Sequence, residues 1–347
     1  MSKTLTFFYR KKNPLFHSIE QVFGRIAQQL AANYRSEFEL RELSLPRITK
    51  LKNLLPNIRF ARRSQSDINH ITGDIHYALL GFSRRKINIL TIHDCVLLKR
   101  LSRRDPRFWV IKWVWHVWPM RRADIVTVIS ENTKADLLQF IRCDPAKIRV
   151  IPNFIDPAFA RMTRNSAHFR ERPRILFVGT TPNKNLDRLI EAMDGLPAEL
   201  DIIGKLSEEQ LARLRQHGIL YSQSFNLSRE ELLQHYQECD LLAFPTTLEG
   251  FGLPIIEGQA AGLPVLTSDL SPMREVAGKG ACLVDPYRPE SIREGLLRIT
   301  QDEAYRRRLI ESGFDNVRRY DLDAVVLQYA ELYRELIKNK APNLKSA

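Results

Sequence analysis

Short apolar runs alternate with amphipathic stretches along most of the chain, which is the pattern of strands that alternate with helices. In the second half, the apolar runs predict strands at residues 174–179, 199–204, 240–245, 264–268 and 282–285. The stretches between them repeat apolar residues at helical spacing and predict helices at 186–193, 207–217, 228–237 and 254–261. Strands separated by helices in this way indicate a doubly wound, mostly parallel α/β sheet.

The first half of the chain repeats this organisation. Its patterns predict strands at 5–9, 87–92 and 124–129, and helices at 17–32, 107–118 and 131–141. We therefore expect two Rossmann-like domains, residues 1–158 and 174–320, joined by the polar, arginine-rich segment 160–173. An amphipathic helix at 322–340 is expected to pack back on the first domain. Two such domains that face a cleft would bind a ligand there.

Positive charge is concentrated in the first domain. The 347 residues carry a formal net charge of +13, and residues 1–150 contain 28 lysines and arginines against 12 aspartates and glutamates. This imbalance favours a domain that faces an anionic surface. No apolar run reaches the roughly 18 residues of a membrane-spanning helix. The four cysteines are scattered, which is typical of a cytoplasmic protein and disfavours a cysteine-based metal site.

Two glutamates, Glu249 and Glu257, lie on either side of Gly250, Gly252 and Pro254. The glycines let the backbone approach a ligand closely, and proline suits the first position of a helix. We expect Glu249 on a loop at the carboxyl end of a strand and Glu257 in the first turn of the next helix. That edge of an open sheet is where ligands bind, and a helix start favours an anion. The alternative is a plain connection in which Glu257 only complements the helix dipole.

A second glycine-containing loop runs from Gly179 to Asn185, between a predicted strand and a predicted helix. Lys184 in this loop can place its charge on a phosphate, and the helix start adds backbone donors. Two anion-binding helix starts in one domain favour a diphosphate ligand. The alternative is a solvated lysine in a connecting loop. Neither the P-loop pattern nor the dinucleotide-binding glycine pattern is present.

His93 and Asp94 follow a predicted strand of the first domain. Such a pair can hydrogen-bond sugar hydroxyls or stabilise a developing charge. The alternative is that both residues only cap the strand end and the next segment. His70 and His76 lie nearby in the sequence, but no third ligand has a telling spacing, so we expect no metal site.

All four tryptophans lie in one predicted helix that is rich in basic neighbours. They are Trp109, Trp113, Trp115 and Trp118, with Arg100, Arg103, Arg104, Arg107, Arg121 and Arg122 around them. Aromatic and basic residues on one helix suit an anionic membrane surface. The alternative is a core helix whose tryptophans face the sheet. Nucleic acid is disfavoured as a partner, because no recognised binding motif accompanies the charge.

Together these residues resemble the retaining GT-B glycosyltransferases of glycosyltransferase family 4, the glycosyl transferases group 1. The two glutamates with the segment Gly-Phe-Gly-Leu-Pro between them are similar to the motif of that family in which seven residues separate two glutamates. The resemblance runs nearly end to end. It also takes in residues 18–20, 91–94, 127–130, 150–153, 179–185 and 272–277.

The resemblance implies a nucleotide-sugar donor held by the second domain, with the anomeric configuration retained and no metal or other cofactor required. Lys184 would contact the diphosphate, and Glu257 the ribose hydroxyls. Glu249 would face the transferred sugar, and His93 would approach that sugar from the first domain, next to Asp94. The loop residues implied in donor binding are Gly179, Asn185, Gly250 and the backbone amides of Phe251, Gly252 and Leu253.

The chain departs from the family at the first of these loops. Many relatives carry an arginine just after the glycine or directly before the lysine, where this chain has Thr180 and Asn183. The loop is left with Lys184 as its cation, so Lys205 is a candidate to complete the phosphate site.

The leading hypothesis is a hexose-type transferase that acts on a glycan or lipid-linked acceptor in the synthesis of cell-surface polysaccharide or lipopolysaccharide. It would work as a peripheral protein on the cytoplasmic face of the inner membrane. One alternative is a nucleotide-sugar-processing GT-B enzyme of the epimerase or hydrolase type. Another is a non-catalytic scaffold that binds polyanions through its basic half.

Overall fold

A computed structural model describes residues 2–11, 18–160 and 169–340. The chain forms two compact units. The first comprises Met1–Phe154 together with Leu322–Ala347, and the second comprises Ile155–Asp321. The first unit therefore ends four residues earlier than the expected boundary at 158, and the helix Leu322–Lys340 belongs to it. Most of the predicted connecting segment 160–173 lies outside the described residues.

The first unit is built on a six-stranded parallel sheet. The order across the sheet is β2-β1-β3-β4-β5-β6. Its strands are β1 Lys3–Tyr9, β2 Phe38–Ser44, β3 Ile68–Ile71, β4 Ile87–Ile92, β5 Ile125–Val128 and β6 Ile148–Val150. The central strands are buried on both faces, as covered parallel sheets require.

Helices cover both faces of this sheet. They are Ser18–Asn33, Leu54–Arg63, Val96–Arg100, Pro106–Val110, Trp118–Arg122, Glu131–Phe140 and Leu322–Lys340, with a π-helical stretch at Ile111–Val117. Short 3₁₀ turns lie at Leu51–Asn53, His76–Gly81 and Pro145–Lys147. His17, the predicted first residue of the first helix, lies outside the described residues.

The helix Leu322–Lys340 completes the core of the first unit. Its residues Val325, Tyr329 and Tyr333 are buried against β1 and the first helix. His70 is fully buried between this helix and the sheet, 2.9 Å from the hydroxyl of Tyr333 and 2.7 Å from that of Thr91. Burial lowers the pKa of His70 to about 3, so this histidine is a neutral core residue.

The second unit is built on another six-stranded parallel sheet, in the order β12-β11-β10-β7-β8-β9. Its strands are β7 Arg174–Val178, β8 Glu199–Ile203, β9 Leu220–Ser224, β10 Leu241–Phe244, β11 Val265–Ser268 and β12 Ala281–Val284. Its helices are Pro157–Ala160, Leu186–Met193, Glu208–Gln216, Arg229–Glu238, Leu253–Ala260, Met273–Ala277, Pro289–Gln301 and Glu303–Val317, and 3₁₀ turns lie at Pro182–Lys184 and Arg318–Tyr320.

A buried carboxylate ties three elements of the second unit together. Asp201 on β8 is fully buried and accepts hydrogen bonds from His235 Nδ1 at 2.6 Å and Ser222 Oγ at 2.7 Å. The guanidinium of Arg174 lies 3.4 Å away. Burial acts to raise the pKa of Asp201, but these hydrogen bonds and the Arg174 charge leave that pKa below its ordinary value.

We expect Asp201→Asn to destabilise the second unit by about 3–5 kcal/mol, because it leaves Arg174 without its buried partner. The native pKa is lowered, so the stability that Asp201 contributes is present above the unfolded pKa of about 3.9 and is lost as the pH falls below it. Urea unfolding at pH 7 and pH 3 tests this. The exposed pair of Glu303 and Arg307 provides the control, since Glu303→Gln should change little. An Asp201→Asn variant as stable as the wild type at pH 7 would contradict the assignment.

Candidate functional site

The loop that follows β10 carries Glu249 to the carboxyl edge of the second sheet. Gly252 has a φ of 101°, a left-handed conformation that glycine adopts without strain, and the helix Leu253–Ala260 begins directly after it. Pro254 is therefore the second helical residue, not the first. Glu257 lies in the second turn of the helix, so the predicted first-turn position was wrong and a dipole-complementing role does not explain this residue.

Lys184 and Glu249 meet at this edge. The Lys184 ammonium lies 2.7 Å from Glu249 Oε1, and the two side chains are only 18% and 16% exposed. The ammonium also lies 4.5 Å from the centre of the Phe244 ring, a cation–π distance. Gly179 makes room for this lysine, because a Cβ added there would come within 2.9 Å of Lys184 Cε. The sequence motifs thus predicted correctly that these loops share one edge of the sheet.

Asn183 holds the two loops together. Its side chain donates to the Leu248 carbonyl at 2.9 Å, and its own carbonyl accepts from the Thr247 amide at 2.8 Å. The Thr246 hydroxyl lies 2.8 Å from both that carbonyl and Glu249 Oε1. Asn183 therefore forms a hydrogen-bonded bridge between the two loops, a role that its place in the sequence did not reveal.

Asn185 has a structural role in the same bridge. It adopts a left-handed conformation with a φ of 70°, and its side chain is buried. The amide nitrogen donates to the carbonyls of Pro245 at 2.9 Å and Pro286 at 2.7 Å. Its oxygen accepts from Arg188 at 2.9 Å. Because these contacts are all within the protein, Asn185 positions the loop next to Lys184.

Glu257 is half-buried and lies near Asp156 and Lys184. Its Oε2 accepts a hydrogen bond from the Tyr236 hydroxyl at 2.6 Å. Burial, reinforced by the nearby charge of Asp156, raises the pKa of Glu257 to about 7, although the Tyr236 hydrogen bond and Lys184 act in the opposite direction. Asp156 itself pairs with Arg229. Sequence reasoning missed Tyr236, Asp156 and Arg229, because no short-range spacing links them to Glu257.

The remaining predicted donor residues lie on the loops that follow β10 and β8. Phe251 is buried and packs edge-on against Tyr320, with ring centres 5.5 Å apart, so its side chain anchors the loop. Gly250 and Leu253 flank it at the loop and the helix start. Lys205 follows β8 with an exposed side chain, and its carbonyl accepts from the Thr180 hydroxyl at 2.7 Å.

His93 and Asp94 lie at the carboxyl end of β4 in the first unit. The Nε2–H of His93 donates to the Thr72 carbonyl at 2.7 Å, which leaves Nδ1 as the acceptor of the ring. Burial lowers the pKa of His93, so the ring is neutral near pH 7. Asp94 Oδ1 accepts from the Val96 amide at 2.9 Å, the capping contact of the alternative interpretation. Asp94 also lines a cavity of about 600 Å³.

That cavity belongs to the carboxyl edge of the first sheet. Its polar lining includes Asp74 and His76, and its apolar lining includes Leu98 and Trp115. The Trp115 indole N–H donates to the Asp74 carbonyl at 3.0 Å, which holds the ring in place. An aromatic ring beside carboxylates offers both a stacking face and hydrogen-bond acceptors to a polyhydroxy ligand.

The tryptophan-rich segment has two different faces. Phe108, His116 and Met120 point inward and are buried. Three of the four tryptophans point outward, with exposures of 46% for Trp109, 37% for Trp113 and 46% for Trp118. The expectation of a helix over 107–118 holds, although its central part Ile111–Val117 is π-helical. The core-helix interpretation fits the inward face but not these three tryptophans.

The described residues contain neither a candidate membrane-spanning helix nor a candidate metal-binding cluster. Over 2–11, 18–160 and 169–340, no helix combines the length and apolar character of a membrane-spanning segment. Within the same ranges, no group of three or more histidine, cysteine, aspartate or glutamate side chains is placed to hold a metal ion.

Two family models match the chain in succession. Glycosyltransferase Family 4 matches residues 19–159, and Glycosyl transferases group 1 matches residues 159–315. Because the two models together match residues 19–315, the chain belongs to the glycosyltransferases that they describe. Its two parallel six-stranded sheets confirm the expected GT-B fold class. A structure of Anabaena HepE in complex with UDP-glucose superposes with a TM-score of 0.74 at 16% identity, covering 96% of this chain and 100% of that one.

Two relatives that match in sequence are named as mannosyltransferases. The serotype-specific mannosyltransferase WbdA of Escherichia coli is 25% identical over 249 residues, which are 64% of this chain and 30% of that protein. This chain therefore spans less than a third of the length of WbdA. The MMP alpha-(1->4)-mannosyltransferase of Mycolicibacterium hassiacum is 26% identical over 310 residues, or 81% of this chain and 73% of that enzyme.

The raised pKa of Glu257 implies that the stability of the protein depends on pH. A carboxyl whose native pKa is about 7 contributes stability below its unfolded pKa of roughly 4.3, and that contribution is lost as the pH rises through 7. Glu257→Gln mimics the neutral acid and keeps an acceptor for Tyr236. We expect this variant to melt at a higher temperature than the wild type at pH 8 and at nearly the same temperature at pH 5. Glu209→Gln, at an exposed position, is the control. A shift of equal size at both pH values would contradict the assigned pKa.

Proposed function

We propose that this glycosyltransferase moves a hexose-type sugar from a nucleotide-sugar donor to a glycan or lipid-linked acceptor and retains the anomeric configuration. The observation that carries the proposal is the convergence of Lys184, Glu249 and Glu257 at one edge of the second sheet. A cation and two carboxylates at that edge match a ligand that combines a diphosphate with hydroxyl groups.

The two glutamates have different tasks in this proposal. Glu257 Oε2 is held by Tyr236, which leaves Oε1 to accept hydrogen bonds from the ribose hydroxyls. Glu249 pairs with Lys184 in this structure. A bound diphosphate would compete with Glu249 for the ammonium and release that carboxylate toward the sugar. Lys205 and the backbone amides of the loop around Gly252 would supply further positive potential.

The leaving diphosphate would be stabilised by Lys184 and these amides, with no metal required. Retention would follow from attack of the acceptor on the same face that the diphosphate leaves, without a protein nucleophile. The neutral ring of His93 would accept a hydrogen bond from the transferred sugar through Nδ1. Asp94 and the cavity beside it in the first unit would receive the acceptor.

Two comparisons support the substrate class. WbdA and the Mycolicibacterium enzyme are named as mannosyltransferases, and the HepE structure contains UDP-glucose. A role in cell-surface polysaccharide or lipopolysaccharide synthesis is consistent with the serotype-specific name of WbdA. The nucleotide base, the sugar and the acceptor are left for experiment.

Calorimetry with UDP-, GDP-, ADP- and TDP-sugars in the presence of chelator tests the donor site. We expect one of them to bind without divalent metal, and Lys184→Ala to weaken that binding by about tenfold or more, because it removes a charge-assisted contact worth roughly 1.5–3 kcal/mol. Glu249→Gln frees Lys184, so we expect unchanged or tighter donor binding together with a large loss of turnover. His93→Ala should likewise lower turnover more than binding.

Arg213→Gln is the matched control for Lys184→Ala, because it removes a positive charge from the same unit at a surface ion pair. Donor binding that disappears in chelator would contradict the metal-free proposal. Release of free sugar at the same rate with and without acceptor would instead favour the hydrolase alternative.

We further propose that the protein is cytoplasmic and rests peripherally on the inner membrane through the first unit. The exposed rings of Trp109, Trp113 and Trp118 lie on a segment flanked by arginines. Tryptophan is favoured at the headgroup level of a bilayer. Each nearby Lys or Arg adds roughly 1 kcal/mol of attraction to an anionic leaflet.

Charge reversal at Arg103, Arg104, Arg121 and Arg122 should abolish co-sedimentation with anionic vesicles. Four reversed charges remove several kcal/mol of attraction, on the order of 1 kcal/mol for each residue. Charge reversal at Arg307, Arg308, Arg318 and Arg319 of the second unit is the matched control and should leave sedimentation unchanged. Unchanged co-sedimentation of the first variant would argue against membrane association.

A further inference from the structure

A small basic cavity lies beside the tryptophan-rich segment of the first unit. It has a volume of about 210 Å³ and is lined by Leu80, Arg84, Trp118, Arg121 and Arg122. We call it the Arg84 cavity. None of the donor or acceptor residues described above lines this cavity, and three of its five lining residues are arginines.

The arginines of this cavity are not neutralised by carboxylates. Arg122 donates through Nε and Nη2 to the Phe82 carbonyl, at 2.8 and 2.5 Å, and Arg121 lies over the Trp113 ring. Across the described ranges, none of the three guanidiniums forms an ion pair with an aspartate or glutamate. Burial and the charge of Arg84 lower the pKa of Arg122, the direction expected for a cation that faces another cation without an anion between them.

Such a cluster is suited to phosphate. A planar guanidinium presents parallel N–H donors that match two oxygens of a phosphate, and hydrogen bonds between ionised groups are among the strongest in proteins. The backbone carbonyl of Phe82 fixes the Arg122 guanidinium, while the Arg84 and Arg121 side chains are exposed and can close on an anion from either side.

The surroundings of the cavity favour a lipid as the source of the phosphate. Trp118 forms part of the cavity wall and is nearly half exposed, and Trp113 lies next to it with ring centres 6.3 Å apart. A site for a small soluble anion gains nothing from exposed indoles, whereas indoles at the headgroup level of a bilayer are favourable. The excess positive charge of the first 150 residues would bring the same face toward an anionic leaflet.

We propose that the Arg84 cavity binds the phosphate of an anionic phospholipid headgroup, with Trp118 and Trp113 inserted beside that lipid. This inference rests on the proposed membrane association and makes it more specific. If membrane binding depended on nonspecific electrostatic attraction, all arginines of the segment would contribute alike. If it depends on a headgroup site, the arginines that line the cavity contribute more.

The test uses two double variants of the full chain that each remove two positive charges. Arg84→Gln with Arg121→Gln changes the cavity, and Arg103→Gln with Arg104→Gln changes exposed arginines outside it. Binding is measured on phosphatidylcholine vesicles containing phosphatidylglycerol, and on vesicles of equal surface charge whose anionic amphiphile is a carboxylate. Inorganic phosphate without vesicles is a third arm.

We expect the cavity pair to lose about tenfold more affinity than the control pair on phosphatidylglycerol vesicles, since lost guanidinium–phosphate hydrogen bonds add to the lost charge. On carboxylate vesicles the two pairs should lose similar amounts. Equal losses on both kinds of vesicle would overturn the headgroup site in favour of diffuse charge. Binding of inorganic phosphate that depends on Arg84, without any preference for phosphatidylglycerol, would overturn the lipid as the source.

Donor calorimetry on the same variants separates this inference from the proposed function. Wild-type protein that binds a nucleotide sugar but no vesicle would overturn both the headgroup site and the membrane proposal, and would leave glycosyl transfer untouched. Wild-type protein that binds vesicles, with no difference between the two variants, would overturn the headgroup site alone. Arg122 is left unchanged in both variants, so that its contact to Phe82 is the same in each.

Discussion

The hydrogen bonds that join the loop after β7 to the loop after β10 hold the candidate donor site together. These two strands are neighbours in the sheet, so their carboxyl ends lie side by side. Asn183 binds the second loop through both its side chain and its carbonyl, and Asn185 reaches Pro245 from the other side of Lys184. Each bond contributes only about 1 kcal/mol of net stability. Their joint effect is positional, because Lys184 lies between two anchored residues and its ammonium is thereby held against Glu249.

Most strands that are buried on both faces could be predicted. The apolar runs of β4, β7 and β10 indicate such strands, and their bounds fall within two residues of those expected. The buried strand β3 was missed because Asn69 and His70 interrupt its apolar pattern. Two edge strands, β2 and β9, were missed for a different physical reason. β9 has the sequence Leu-Tyr-Ser-Gln-Ser and is mostly exposed, and the edge strand β2 exposes most of its charged residues. An edge strand pairs on one side alone and can be exposed to solvent, so sequences such as those of β2 and β9 carry no continuous apolar signal.

The residues of the candidate site could likewise be predicted only in part. Lys184 and Glu249 belong to short motifs around glycines, which sequence spacing can reveal. Tyr236 and Asp156 reach Glu257 only through tertiary packing of separate elements, so no local pattern marks them. The structural role of Asn185 was hidden for the same reason. Its left-handed backbone and its three side-chain hydrogen bonds shape the loop, and its contact with the donor stays a prediction.

The uncharged side chain of Asn183 affects the electrostatics of the candidate donor site. An arginine would add a second charge beside Lys184, whereas Asn183 adds a rigid link and no charge. The Glu249 carboxylate offsets the charge of Lys184, and the Phe244 ring stabilises the ammonium further. On the proposed assignment, a diphosphate must therefore draw Lys184 away from an existing partner. Its arrival would free Glu249 when the sugar is in place, so that donor binding would be coupled to the release of the carboxylate that faces the sugar.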